Sequence, residues 1–279
     1  MKKLIIILIT FTAFLSNAQI KLKNIGHKNS DFEDVVITLE NGNIVTGMIK
    51  NFHNETIKPD LFDAFSTLET QADLGLKKYQ FKKDKNSPLQ PLSLDSVKTV
   101  VVMKDRQEII RWDKLKVKKV MGDLSLKEAK REIFMPLYRE GKINMYVLAV
   151  ESSHINPQTK AIETSFDVLC YLKNANDEYS IAPIDSGNTA KMMINMFSLK
   201  DMIITGFKEV GKDCPEFVEK LNEPIDKAQK KEARRESMEN LKIIEKEFRE
   251  QGLKGDDLAL AMSLQPYFMI IKQYENSCQ

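Results

Sequence analysis

The chain has 279 residues, 42% of them hydrophobic and 29% charged, a balance that excludes wholesale disorder or collagen-like repeats and leaves room for two compact domains or one elaborated one. Its 42 Lys and Arg against 40 Asp and Glu give a formal charge of +2. A chain so close to neutral carries no global signature of nucleic-acid or acidic-membrane binding.

The first eighteen residues read as an address. Lys2 and Lys3 are followed by an apolar run from Leu4 to Leu15, and Ser16-Asn17-Ala18 then places small residues three back and one back from a cut before Gln19. This is the pattern of a secretory signal peptide. As a helix the run would span about 18 Å, well short of a hydrocarbon core of about 30 Å, so a membrane anchor is disfavoured. No Cys stands at the cut to carry a lipid, and no later stretch is long and apolar enough to span a bilayer. The mature chain is therefore expected to be soluble, periplasmic or secreted, without stable membrane insertion. In that oxidising setting Cys170, Cys214 and Cys278 gain interest. An odd number allows one internal disulfide at most, and the sequence leaves all three pairings open.

The next element is a hairpin. Val35, Ile37 and Leu39 alternate with Val36, Thr38 and Glu40, then Asn41-Gly42 interrupts before Ile44 to Lys50. Asn-Gly between alternating runs predicts a two-residue turn, because both residues tolerate positive φ. That register sets Leu39 opposite Ile44, Ile37 opposite Thr46 and Val35 opposite Met48. Gly47 then reads as a bend or bulge. Leu61, Phe65, Leu68 and Ala72 follow helical spacing after Pro59-Asp60, with Gly75 as a stop. Strands are expected at Lys78 to Lys82, Val97 to Met103 and Gln107 to Trp112, the first two separated by a polar, two-proline loop from Asp84 to Pro91.

Ser125 and Glu128 form a capping-box pattern that predicts a short helix from Leu126 to Arg131. Two hairpins follow: Glu132 to Tyr138 with Lys142 to Val150 around Glu140-Gly141, and Phe166 to Leu172 with Glu178 to Ile184 around residues 174–177. Ser152 to Glu163 between them reads as a polar loop. Asn188 to Ser198, with Met192, Met193, Met196 and Phe197, and Pro215 to Leu221 read as helices. Asp226 to Glu250 is rich in Lys, Glu and Arg with a thin apolar stripe at Ala228, Met238, Leu241, Ile244 and Phe248. It predicts a long amphipathic helix that either leans on the body of the protein or, as a coiled-coil or partner-binding helix, offers Met238, Leu241, Ile244 and Phe248 as a candidate partner-binding face. Gly252 and Gly255 end it, and Leu258 to Ile271 is expected to dock back.

Motifs for chemistry are sparse. Gly206 to Lys212 has the spacing of a phosphate-binding loop, but Asp213 stands where Ser or Thr would hold magnesium, so a plain loop is the better reading. His27, His53 and His154 are single, no Cys-x-x-Cys or Gly-x-Ser-x-Gly occurs, and the carboxylates at Asp31, Glu33, Asp34, Asp256 and Asp257 are equally well explained as surface charge. No cofactor, metal or nucleic-acid partner is expected, and no catalytic residue is assigned.

The stretch VVITLENGNIVTGMIK, Val35 to Lys50, resembles the opening of an Sm-like or SH3-like small barrel, which implies a curved sheet. Ala18-Gln19, then Asn41, Gly42 and Gly47, then Leu137-Tyr138-Arg139-Glu140-Gly141-Lys142-Ile143, give a layout similar to exported proteins of Bacteroidota with no established activity. That resemblance covers roughly residues 1 to 222 and implies export but no reaction. The expected organisation is a signal peptide (1–18), a small curved β-barrel-like domain (19–112), an α+β domain with antiparallel hairpins (113–222) and a C-terminal helical tail (223–279), an α+β fold overall. The expected function is a non-enzymatic binding or scaffolding module of the cell envelope, meeting an envelope protein partner through the tail helix. The alternative is an exported hydrolase with a site between the two β-rich domains.

Overall fold

The computed structural model describes residues 32–50, 78–130, 132–155, 162–183, 196–222, 242–243, 245–246, 248–250 and 252–278. The expected signal peptide, the helix after Asp60 and residues 223–241 lie outside them. The described chain is α+β and rich in strands. Five strands come first: β1 (Phe32–Leu39), β2 (Ile44–Lys50), β3 (Lys78–Lys82), β4 (Gln90–Ser93) and β5 (Val97–Lys104). The long β6 (Gln107–Val120) is followed by β7 (Leu126–Glu128), β8 (Ile133–Arg139), β9 (Ile143–Ile155), β10 (Ile162–Asn174) and β11 (Tyr179–Ala182). Helices α1 (Met196–Val210), α2 (Pro215–Asn222) and α3 (Gly255–Ser277) complete the fold.

Strand β6 organises the molecule. Its first half pairs with β5, which continues through β1, β2 and β3 to an open edge at β4. Its second half belongs to a closed ring of five strands, β6, β8, β9, β10 and β11, sealed where Tyr179 to Ala182 of β11 run parallel to Lys116 to Lys119. The N-terminal strands are thus a curved sheet attached to the barrel, and closure happens downstream of the hairpin whose sequence resembled a barrel opening.

Three cores follow from strand alternation, since successive side chains point to opposite faces. Leu115, Val117, Met135, Tyr146, Leu169, Tyr171 and Ala182 come from all five ring strands and fill the barrel. The opposite face of β6 and β8 contributes Trp112 and Phe134 to the N-terminal core, with Val35, Ile37, Ile49, Val100 and Val102. Elsewhere on the outside of the ring, Met145, Val147, Leu172 and Ile181 meet Phe207, Phe217, Leu264, Ile271 and Tyr274 of the three helices.

The β1–β2 register differs from the expected one by one residue. Ile37 lies opposite Val45 and Val35 opposite Gly47, because the loop has three residues, Glu40, Asn41 and Gly42. Leu39 N–H donates to Asn43 O at 2.8 Å, and Gly42 takes φ +84°, the left-handed residue of a three-residue hairpin. Gly47 is needed for close approach: a Cβ there would lie 2.4 Å from the Phe81 ring and 2.6 Å from Lys82 O. The ring of Phe81 leans over it as β3 curls across the N-terminal core.

Other local expectations yield to tertiary pairing. Leu126–Glu128 is a strand, not the start of a helix; it pairs with Lys118 to Val120, and Ser125 serves a turn in which its N–H and hydroxyl donate to Asp123 at 3.0 and 2.6 Å. Six residues are too few for a stable helix where an open edge of β6 is within reach. Gln90 and Pro91, read as loop, belong to edge strand β4, where a missing N–H costs no ladder bond. Much of the expected polar loop from Ser152 is strand, with Ile155 opposite Ile162 and 156–161 outside the described residues; backbone pairing needs no apolar side chain. Gly206 lies inside α1, where a Cβ would stand 2.9 Å from Pro183, so the loop reading of Gly206 to Val210 is corrected to helix. Met192 and Met193 lie outside the described residues.

The expected docking of the last segment occurs as one helix, α3, which runs through an exposed Pro266. The described part of 242–250 is helical. Phe248 is buried there, its ring 6.5 Å from that of Phe268. Phe248 thus packs inward, as a helix leaning on the body would have it; Met238, Leu241 and Ile244 lie outside the described residues. Cys214 and Cys278 form the disulfide, with Cα atoms 5.8 Å apart, and Cys170 is a buried free thiol in β10.

Candidate functional site

Alternation along β6 places Arg111, Asp113, Leu115 and Val117 on one face, the one that becomes the barrel interior. Leu115 and Val117 suit a ring core, whereas Arg111 and Asp113 bring charge to that face where the ring meets the N-terminal sheet. Asp113 is 6% exposed, at the end of the ring where β5 gives way to β11 along β6. A buried carboxylate must be paired and hydrogen-bonded to survive there. Its partners come from three strands. Thr99 of β5 donates its hydroxyl to Oδ1 at 3.0 Å, Arg111 donates Nε–H to the same oxygen at 2.9 Å, and Tyr146 of β9 donates its hydroxyl to Oδ2 at 2.9 Å.

The charges in this cluster are fixed by their surroundings. Burial, followed by the Asp113 carboxylate, pushes the Tyr146 phenol above the ordinary tyrosine range, so it stays a neutral donor. Burial works against the charge of Arg111, and Asp113 and Glu140 more than restore it, raising its pKa. The guanidinium is half-buried, and its Nη1 reaches Glu140 Oε1 at 3.4 Å across an exposed carboxylate. The arrangement holds a guanidinium in one orientation at the junction of the N-terminal sheet and the ring. Asp113 thus accepts from three donors, two on Oδ1 and one on Oδ2.

A second buried network fastens the C-terminal helix to the barrel. Tyr274 donates its hydroxyl to Asp213 at 2.9 Å and accepts from Asn174 Nδ2 at 3.3 Å. Burial and then the bond to Asp213 push the Tyr274 phenol up to about 12. Arg139 Nη2 donates to both oxygens of Glu275 at 2.8 Å, Lys142 donates to Cys278 O, and the disulfide closes the same corner. Asp213, which spoils the phosphate-loop pattern, is thus a tether for α3, and Lys212 pairs with Glu209 and Asp177.

Of the sequence candidates, Cys214 and Cys278 are brought together, Cys170 is kept apart and Phe248 is internal. Glu33 and Asp34, adjacent on β1, point to opposite faces. Among the described residues no group of three or more His, Cys, Asp or Glu is placed to hold a metal, and no helix is long and apolar enough to cross a membrane. The residues missed are Thr99, Arg111, Asp113, Glu140 and Tyr146. Carrying the alternation of β6 past Trp112 would have exposed Asp113 as a charge in line with Leu115 and Val117. Comparison with protein-family models, with curated proteins and with solved structures finds no match.

Proposed function

We propose that the protein is an exported, non-enzymatic binding or scaffolding module of the cell envelope. The observation that carries this reading is the Thr99–Arg111–Asp113–Tyr146 network. It commits its carboxylate and its phenol to holding a guanidinium still, which suits recognition. The Cys214–Cys278 disulfide supports an oxidising compartment, in agreement with the signal-like start and the resemblance to exported Bacteroidota proteins. The hydrolase alternative would draw on the same polar cluster, where Asp113 is already engaged by Thr99, Arg111 and Tyr146.

The decisive experiment uses the chain recovered from its host's envelope. Its intact mass is expected to match residues 19–279 and to rise by about 2 Da on reduction. Thermal unfolding in the presence of fractionated envelope components is then expected to show a rise in midpoint with at least one fraction. Parallel assays with ester, phosphoester and peptide substrates are expected to yield no product. Turnover of any of them, abolished by Asp113→Asn, replaces the binding reading with the hydrolase one.

A further inference from the structure

The N-terminal sheet has a second face, opposite its core, that leads into the barrel end. Register places Thr46, Val36, Val101 and Arg111 in one row across β2, β1, β5 and β6. With strands about 4.8 Å apart, the row is about 14 Å long. Val36 and Val101 are half-buried, as are Met48 and Met103 in the neighbouring row, and Ile44 at the β2 end is 67% exposed. Two half-buried valines therefore lead from Thr46 to a single guanidinium.

That guanidinium is arranged to receive a carboxylate. Its Nε is committed to Asp113, which is itself held by Thr99 and Tyr146, so the side chain is already ordered before any ligand arrives. The outer edge with Nη1 and Nη2 remains. Among the described residues its one recorded partner is Glu140, at 3.4 Å and 71% exposed, longer than the roughly 2.7–2.9 Å of a strong charge-assisted bond. Glu140 acts as a loose, tethered carboxylate on a fork whose geometry suits two parallel N–H···O bonds. Asp34, exposed in the adjacent row, disfavours ligands of higher negative charge.

We infer that this face binds an organic monocarboxylate with an apolar body, the carboxylate replacing Glu140 on Arg111 and the body lying over Val101 and Val36. The inference rests on the reading of the protein as a binding module and names the ligand class of that same cluster. Calorimetric titration of the full chain with octanoate, acetate and inorganic phosphate tests it. Octanoate is expected to bind saturably and at least about tenfold more tightly than acetate, through burial of its chain, and phosphate is expected not to bind. Glu140→Gln is expected to tighten octanoate about threefold by removing the competitor. Arg111→Lys, which keeps the charge and loses the fork, is expected to weaken it at least about tenfold. Absence of saturable octanoate binding overturns the inference, as does binding unchanged by Glu140→Gln. If octanoate fails while an envelope fraction still raises the unfolding midpoint, this ligand class is eliminated and the binding-module reading stands.

Discussion

In the N-terminal sheet the chain ends at an open edge, β4, blunted by Pro91, whereas the ring has no edge because β11 returns to β6. The sheet depends on one core and on a few close approaches such as Phe81 over Gly47. The ring is filled from within, covered by three helices from without, and bolted by a disulfide, an ion pair and a buried tyrosine at one corner. The two regions share β6, and the Asp113 cluster lies where they share it. Local pairing is enough to shape the sheet, while the ring needs contacts between residues far apart in the chain.

The largest expected effect falls on the bolted corner. A crosslink spanning 64 residues is worth about 4 kcal/mol by loop entropy, so Cys278→Ser is expected to lower unfolding free energy in urea by about 3 kcal/mol. Hydrogen exchange should then rise in α2 and α3 and stay unchanged in β1 to β5. An equal rise everywhere would mean that the two regions unfold as one unit.

Asp113→Ala removes the acceptor that both regions use and leaves Arg111 half-buried without its main partner. A loss of about 3 kcal/mol is expected, with exchange rising in β5 and in β9 together. Asp113→Asn, which keeps an acceptor, should lose less than half of that.

Gly47→Ala tests the sheet by itself. The added methyl collides with Phe81 and with the Lys82 carbonyl, so a loss of about 2 kcal/mol is expected. The Phe32, Lys50 and Lys82 end of the sheet should loosen while α3 remains protected.

The smallest effect is a pH dependence confined to the helix corner. Tyr274 has a folded pKa of about 12 against about 10 when unfolded. Its contribution is therefore complete below pH 10 and is lost as pH rises toward 12. The unfolding midpoint is expected to fall across that interval, and Tyr274→Phe should flatten the fall while lowering stability at neutral pH by about 1 kcal/mol.

Much of the sheet was legible from short windows. The alternation of Val35, Ile37, Val100 and Val102 marks the buried face, and Asn41-Gly42 marks a turn. The turn length was not legible, because Asn-Gly serves both two-residue and three-residue loops, and one residue of difference moved every partner in β1–β2. Ser125 and Glu128 suit a helix cap in isolation, yet an unpaired edge of β6 made a strand of Leu126–Glu128. The site was less legible still. Arg111 and Asp113 stand two apart in sequence, but Thr99, Glu140 and Tyr146 reach them only after β5, β8 and β9 have paired.

Sequence alone determined several of the starts and turns: the hairpins around Asn41-Gly42 and Glu140-Gly141, the strand at Val97, the helix opened by Pro215, and a limit of one disulfide among three cysteines. These follow from steric and hydrogen-bonding preferences within a few residues. Tertiary structure alone decided that β11 closes the ring on β6, that Cys214 takes Cys278 and leaves Cys170 buried, and that Asp113 lies inside with Arg111 at its side. Each of these depends on which edges and faces remain unsatisfied once distant segments have packed, and no local window contains that information.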